Sequence, residues 1–175
     1  MKLYVARHGQ TQWNLEDRVC GRTDLPLTAV GEAQAEFLAE KARSLGITRI
    51  LVSPMLRARQ TAAPISRITG IPLEVDQRLI EQDYGIYENT DWDGPDFKAS
   101  KKQFAVRYPG GESMLDLAAR IYPLLNELKA QGGDTTLIVC HGGICRVIRT
   151  YFEDMTNEEY AAYSPSNAFV AEYDL

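Results

Sequence analysis

The chain contains two histidines, His8 and His141, and each stands at the end of a short apolar segment, directly before a glycine. The first segment reads LYVARHG at 3–9, and the second reads TLIVCHGG at 136–143. Both are typical of buried β-strands, and in an open α/β sheet ligands bind just beyond the carboxyl ends of the strands. We therefore expect the two imidazoles to meet in one crevice. Arg7, directly before the first histidine, indicates that this crevice holds an anion.

A second arginine and a glycine pair are expected at the same crevice. Arg57 falls in the first turn of the helix predicted after the second strand, and helical side chains lean toward the helix N-terminus. Gly142 and Gly143 open a further predicted helix, whose free N–H groups form a site for an anion. Because the arginine fork matches the oxygens of a phosphate, the sequence predicts a phosphate group as the occupant.

Strands and helices are predicted to alternate along the chain. The predicted strands are 2–7, 48–53, 73–75, 135–140 and 168–173. Five helices are predicted, three of them from a start signal. One has Thr28 as its N-cap and runs to 44, one has Ser53 as its N-cap with Pro54 as first residue and runs to 69, and one begins with a capping box of Ser113 and Asp116 and runs to 130. The other two are predicted over 143–152 and 157–163. Residues 82–111 are rich in Asp, Gly, Tyr and Pro and are predicted to form a long excursion. This alternation predicts an α/β fold of three layers, α/β/α, with a mainly parallel central sheet, in a single domain of residues 1–175.

The helical period also predicts where particular side chains lie. The residues of the 28–44 helix predicted to face the core are Ala33, Phe37, Leu38 and Ala42. The basic residues of the excursion predicted to lie on a solvated helix face are Lys98, Lys101, Lys102 and Arg107.

The composition is that of an ordinary globular protein and argues against nucleic-acid-binding and membrane-spanning proteins. The 175 residues are 45% hydrophobic and 25% charged, with a net charge of −5. The negative charge argues against a nucleic-acid partner, and no apolar run approaches the length of a membrane span. The cysteines form no C-x-x-C pair and a strand begins at the N-terminus, so we expect a reduced, cytoplasmic protein without a signal peptide. No oligomeric state is predicted from these features.

Six motifs cover nearly the whole chain. They read RHGQT at 7–11 followed by WN at 13–14, GRxDxPLTxxGxxQA at 21–35, SxxxRAxQTA at 53–62, ExxYG at 81–85, PGGES at 109–113 and HGG at 141–143. In this order they resemble the motifs of the histidine phosphatase superfamily, which includes cofactor-dependent phosphoglycerate mutases and many small-metabolite phosphatases. The resemblance implies a phosphoglycerate mutase-like fold and an enzyme that acts on a small phosphorylated metabolite. It implies no metal ion and no cofactor, since arginines supply the positive charge.

The resemblance also implies a role for each reactive residue. His8 would be the nucleophile that takes the phosphoryl group, and it would be neutral because the flanking positive charge disfavours the imidazolium. Arg7, Arg57 and His141 would stabilise the phosphoryl oxygens in the transition state. Glu81 would protonate the leaving oxygen and then activate water. The residues expected to contact the substrate are Arg7, Asn14, Gly21, Arg57, Tyr84, His141 and Gly142.

The leading hypothesis is a phosphatase that hydrolyses small phosphomonoesters through a phosphohistidine on His8. The alternative is a phosphoglycerate mutase, which Tyr84 favours. Mutases that resemble this family carry H-G-N at the second histidine and a longer insertion with paired arginines, whereas this chain has Gly143 and no Arg-Arg pair. Asn89 also stands where the family usually has glycine, and asparagine tolerates the left-handed backbone better than most residues.

Two further hypotheses are less favoured. Cys140 and Arg146 form a C-x5-R segment that resembles the phosphate loop of low-molecular-weight cysteine phosphatases. In that family the loop follows the first strand, whereas here it lies near the C-terminus, with Val147 in place of the usual serine and no Asp-Pro downstream. A non-catalytic sensor of phosphorylated ligands would be expected to have lost part of the catalytic set, which is complete here.

Overall fold

The computed structural model describes residues 1–175, and strands and helices alternate along it. The strands are β1 (Lys2–Arg7), β2 (Arg49–Val52), β3 (Leu73–Val75), β4 (Thr136–Cys140) and β5 (Val170–Asp174). The α-helices are α1 (Gln12–Leu15), α2 (Ala29–Ala42), α3 (Leu56–Thr69), α4 (Pro95–Ser100), α5 (Met114–Gln131), α6 (Gly142–Phe152) and α7 (Asn157–Ala162). Short 3₁₀-helices lie at Gln77–Leu79 and Gly85–Tyr87. The short helices α1 and α4 are not predicted from the sequence pattern.

The five strands form one sheet in the order β3-β2-β4-β1-β5. Strands β1 to β4 are parallel, and β5 pairs with β1 in the antiparallel direction. Helices α2 and α3 pack on one face of the sheet, and α5 and α6 pack on the other. The prediction of a three-layer α/β/α fold with a mainly parallel sheet is therefore confirmed.

Successive side chains of β1 point to opposite faces of the sheet and therefore into the two layers of the core. Leu3 and Val5 point into the core shared with α5 and α6, while Tyr4 and Ala6 point into the core shared with α2 and α3. The middle strand β4 is buried along its whole length. Its near-continuous apolar sequence is what a parallel strand covered on both faces requires.

The register of β1 and β4 brings the two histidines together. Arg7 is paired with Cys140 at the ends of these neighbouring strands, so His8 and His141 leave the same edge of the sheet side by side. The His8 N–H donates to the Cys140 carbonyl at 3.0 Å, which extends the ladder by one bond.

Helix α2 buries only part of the predicted face. Leu38 and Ala42 are buried as predicted, whereas Ala33 and Phe37 are exposed. Phe37 is 63% accessible, and the Lys41 ammonium lies 4.7 Å from the centre of its ring. The helix instead buries small residues, among them Ala35 and Ala39, against the sheet and α3. Alanines allow close approach of the backbones, and this packing outweighs the burial of one aromatic ring.

Helix α3 begins later than predicted. Its N-cap is Met55 and its first residue is Leu56, whereas the sequence predicts Ser53 as N-cap and Pro54 as first residue. The Ser53 hydroxyl accepts from the Met55 N–H at 3.3 Å, just before the helix, and also lies 2.6 Å from the His141 ring, a long-range contact.

The excursion at 82–111 packs with Val19, which follows α1, in a small cluster whose buried members are Val19, Tyr84, Phe97 and Tyr108. Asn89 has a φ of 65°, the left-handed conformation expected for it. Lys101 is only 8% exposed, so its predicted place on a solvated face is wrong. Its ammonium lies 4.3 Å from the centre of the Trp92 ring, a contact that a linear pattern does not reveal. No helix combines the length and apolar character needed to cross a membrane.

Candidate active site

His8 lies at the end of β1 with both ring nitrogens engaged. Nδ1 is 2.7 Å from the Gly9 carbonyl, which can only accept, so the ring proton sits on Nδ1. Nε2 therefore carries the lone pair, and it accepts a hydrogen bond from Nε of Arg57 at 3.2 Å. Burial, followed by the charges of Arg57 and Arg7, lowers the pKa of His8 well below its usual value. The imidazole is thus held neutral with its lone pair oriented.

Arg57 comes from the first turn of α3 and is fully buried. Its Nη1 donates to the Thr23 carbonyl at 2.9 Å and its Nη2 to the Gly21 carbonyl at 2.6 Å. These partners are neutral, so the guanidinium keeps its full positive charge beside His8.

Arg7 supplies a second cation. Its Nη1 donates to the Pro165 carbonyl at 2.5 Å, while its Nε is buried without a partner. No carboxylate pairs with it, and burial lowers the pKa of this guanidinium from its usual value. An unpaired buried donor on a cation is a binding site for an anion.

His141 is the N-cap residue of α6 and is fully buried. Its ring centre lies 5.2 Å from that of His8. Nε2 contacts Ser53 Oγ at 2.6 Å, and Nδ1 has no partner. Burial, followed by the nearby Arg57 charge, lowers the pKa of His141 well below its usual value. The second imidazole is therefore also neutral.

Glu81, directly before the excursion, faces the same cavity and is 3% exposed. Its Oε1 accepts from the Gln82 N–H at 2.7 Å, and its Oε2 accepts from the Gly143 N–H at 3.0 Å. A Cβ at Gly143 would lie 2.6 Å from Glu81 Oε1 and 3.0 Å from the Tyr84 hydroxyl. A side chain at 143 would therefore displace the Glu81 carboxylate from this position.

The cavity between these groups has a volume of about 370 Å³ and is mostly polar. Besides Arg7, His8 and Glu81, its lining includes Asn14, Cys20, Tyr84, Trp92, Gly142, Gly143, Arg146 and the segment 164–167. This volume suits a small metabolite.

Asn14 is oriented by two distant parts of the chain. Its Oδ1 accepts from the Thr11 N–H and from Asn167 Nδ2, both at 3.1 Å. Asn167 Nδ2 also donates to the His8 carbonyl at 3.0 Å. The Asn14 amino group is therefore left as a free donor lining the cavity.

The structure brings most of the predicted site residues together at the cavity, but not all of them line it. His8, His141, Arg7, Arg57 and Glu81 converge, and Asn14, Tyr84 and Gly142 line the cavity. Arg57 and His141 contact or adjoin His8 but do not themselves line the cavity. Gly21 does not line it either, since its N–H donates to Glu88 Oε1 at 2.7 Å and its carbonyl accepts from Arg57.

Several parts of the cavity wall are missed by the sequence reasoning: Asp17, Arg18, Gln34, Trp92, the segment 164–167, and Arg146 as a wall residue. Arg146 is noticed only as the last residue of C-x5-R. The segment 164–167 carries no local motif, since its role comes from contacts with residues near the N-terminus.

The thiol of Cys140 is part of the core. It is fully buried, it lies 3.7 Å from the Cys145 sulfur, and burial raises its pKa well above the usual value. Arg146 Nε donates to the Tyr163 carbonyl at 3.0 Å. A thiolate nucleophile is therefore disfavoured at this position. No group of three or more His, Cys, Asp or Glu residues is arranged to hold a metal ion.

The sequence from residue 3 to 175 matches the histidine phosphatase superfamily (branch 1). Among curated proteins, the probable phosphoglycerate mutase GpmB of Enterobacter sp. (strain 638) is 41% identical over 150 residues, which cover 81% of this chain and 70% of that protein.

Two solved structures are similar over almost the whole chain. Mycobacterial glucosyl-3-phosphoglycerate phosphatase superposes with a TM-score of 0.86 at 30% identity, covering 98% of this chain and 90% of that one. The phosphoglycerate mutase of Thermus thermophilus superposes with a TM-score of 0.78 at 31% identity, covering 99% and 93%. The fold is thus shared with one protein named as a phosphatase and one named as a mutase.

Proposed function

Because the chain belongs to the histidine phosphatase superfamily, we propose that it hydrolyses small phosphomonoesters through a phosphohistidine on His8. The observation that carries this proposal is the neutral His8, whose Nε2 lone pair is held by Arg57, with the Glu81 carboxylate lining the same cavity. A nucleophile, an anion-binding pair and a general acid are what phosphoryl transfer by an enzyme without a metal ion requires.

In the first step the His8 Nε2 lone pair attacks phosphorus and the bond from phosphorus to the ester oxygen breaks. Glu81, in its carboxylic acid form, gives its proton to the departing oxygen. Arg7 and Arg57 would bind the equatorial oxygens, and His141, whose Nδ1 has no partner within the protein, would supply a further polar contact.

In the second step a water oxygen attacks phosphorus and the nitrogen–phosphorus bond breaks. Glu81, now a carboxylate, takes the proton of the water, which restores the acid form. His8 recovers its lone pair, and inorganic phosphate leaves.

A mutase is the second candidate, supported by the names of two of the relatives. Gly143 supports hydrolysis, because mutases that resemble this family carry asparagine at that position. The cavity also opens to solvent, so water has access to a phosphohistidine.

The proposal is tested by phosphate release from a panel of phosphomonoesters, with His8→Ala as the inactive variant and Cys140→Ser as the control that retains turnover. Rapid quench should trap a phosphoryl group that is acid-labile and absent from His8→Ala. An active His8→Ala together with an inactive Cys140→Ser would contradict the proposal. Rapid conversion of 3-phosphoglycerate to 2-phosphoglycerate with 2,3-bisphosphoglycerate present, and little free phosphate, would make the enzyme a mutase.

A further inference from the structure

A small cavity, separate from the main one, has two cations and no carboxylate in its lining. Its volume is about 10 Å³, and none of its nine lining residues is acidic. Three of these residues, Lys101, Arg146 and Tyr160, are at most 8% exposed. They come from the end of α4, from α6 and from α7. The cavity therefore lies where the excursion covers the two later helices.

Neither cation is paired with an acidic side chain. The Arg146 side chain makes one hydrogen bond, from Nε to the Tyr163 carbonyl at 3.0 Å, and no ion pair. The Lys101 ammonium makes neither a hydrogen bond nor an ion pair and lies 4.3 Å from the centre of the Trp92 ring. Buried charges in proteins are normally paired, because an unpaired one has a large desolvation cost. Both cations are therefore free to bind an anion.

Two neutral donors belong to the same lining. The Tyr160 hydroxyl is buried and has no partner within the protein. Gln82 is 3% exposed, and its amide nitrogen donates one hydrogen bond, to the Glu112 carbonyl at 3.4 Å, which leaves its second N–H unused. A water molecule could accept from these donors but would leave the two positive charges uncompensated. An anion satisfies the donors and the charges together.

The size of the cavity restricts the anion to a single atom. About 10 Å³ is the space of one water-sized group, so phosphate and sulfate, with four oxygens each, do not fit. Burial, followed by the Arg146 charge, lowers the pKa of Lys101 to about 7. Asp93 acts in the opposite direction but is itself paired with Lys98 at 2.8 Å. A small anion beside the ammonium would favour its charged form.

We propose that this cavity binds a chloride ion between Lys101 and Arg146, with the Tyr160 hydroxyl and the Gln82 amide as neutral donors. The ion joins the end of α4 to α6 and α7 and so holds the excursion over these helices. Lys101 also contacts Trp92, which lines the main cavity, so the ion stabilises one wall of that cavity as well. The inference concerns stability and not phosphoryl transfer, and it does not depend on the proposed function.

Thermal unfolding measures the binding. Sodium chloride is compared with sodium gluconate at equal ionic strength and at about pH 6, below the Lys101 pKa of about 7. Excess inorganic phosphate is present in both, so that the larger anion occupies the main cavity. Chloride should raise the Tm of the wild-type protein by about 2–4 °C, as expected for a ligand at a few times its Kd. Equal Tm values in the two salts would overturn the inference.

Two variants locate the effect, and the measured quantity is the difference in Tm between chloride and gluconate within each variant. Lys101→Met should abolish this difference. Tyr160→Phe should at least halve it, although the hydroxyl has no protein partner to lose. A purely structural role of Tyr160 would leave the difference unchanged. Lys102→Met, at the exposed neighbouring position, is the matched control and should keep the wild-type difference. A difference that persists undiminished in either test variant would contradict the chloride site.

Crystals soaked in sodium bromide give the position of the ion directly, because bromide replaces chloride and scatters anomalously. An anomalous peak between the Lys101 ammonium and the Arg146 guanidinium, absent from Lys101→Met crystals, supports the inference. Peaks confined to the main cavity beside Arg7 would show that halide binds only at the phosphate site, and the inference would then be wrong.

Discussion

Nε of Arg57 donates to Nε2 of His8 across 3.2 Å, so the arginine contacts the atom that would attack phosphorus. A guanidinium N–H cannot donate to a protonated nitrogen, so this contact requires the neutral imidazole. The other guanidinium nitrogens are held by the carbonyls of Thr23 and Gly21. Arg57 therefore orients the nucleophile, and its charge adds to burial in favouring the neutral imidazole.

Arg57→Ala should lower kcat for an aryl phosphate by about 10²–10³-fold, the usual loss for one preorganised charge donor. The loss follows because the variant removes both the oxygen contact and the orientation of His8. Arg59→Ala, on the exposed side of the same helix, is the control and should keep near-normal turnover. A loss below about threefold in Arg57→Ala would show that the His8 contact has no catalytic role.

Glu81→Gln should slow the hydrolysis of alkyl phosphates much more than that of p-nitrophenyl phosphate. Only a poor leaving group needs a proton in the transition state, so the aryl ester serves as the internal control. Steady-state kinetics over a series of leaving groups measures the difference as a steeper dependence on leaving-group pKa. Equal losses for all esters would rule out Glu81 as the general acid.

Gly143→Ala should reduce turnover severely because its Cβ would meet Glu81 Oε1 at 2.6 Å. Gly142→Ala is the matched comparison, since a Cβ there meets only Arg7 atoms at 3.6 and 3.7 Å, ordinary contact distances. The kcat of Gly143→Ala should therefore be the lower of the two by at least about tenfold, because a displaced general acid typically costs 10²-fold or more. Similar kinetics for the two variants would contradict the positioning of Glu81 by the helix N-terminus.

The free energy of unfolding should fall as pH decreases below about 6.5, the pKa of an unperturbed histidine. Burial lowers the pKa of both His8 and His141 in the folded state, so the unfolded chain binds more protons in this range. The slope is up to about 1.4 kcal/mol per pH unit for each histidine. Urea unfolding at pH 7 and 5.5 measures it, and His8→Ala should show a shallower dependence. Equal stability at the two pH values would contradict neutral buried imidazoles.

Activity should persist in excess EDTA, since Arg7 and Arg57 supply the positive charge at the phosphate. Vanadate should inhibit strongly because its five-coordinate form resembles the transition state that these arginines bind. The assay is phosphate release before and after chelation. Loss of activity that Mg²⁺ or Mn²⁺ restores would contradict the charge assignment.

The amino-acid sequence by itself predicts the framework of the site. Apolar strands that end in His8 and His141 specify a mainly parallel sheet, since strands buried on both faces must be apolar throughout. Because the carboxyl ends of parallel strands lie at one edge of the sheet, the convergence of the two histidines can be predicted without knowing any tertiary contact. Arg57 lies in the first turn of a helix, and helical side chains lean toward the helix N-terminus, so its positive charge is predicted at the same edge of the sheet.

Contacts between distant segments decide what the local pattern cannot. Ser53 contacts His141 as well as the Met55 N–H at the start of α3, and Phe37 lies in solvent while alanines of α2 pack against the sheet. Arg146 and Lys101 become buried cations only when the excursion folds over α6. Sequence periodicity reports which face of an element is apolar, but the burial of a charge depends on which remote segment covers it. The edge of the sheet expected to bind phosphate can therefore be predicted from local sequence. The rest of the cavity wall, which remote segments supply, is formed only in the tertiary structure.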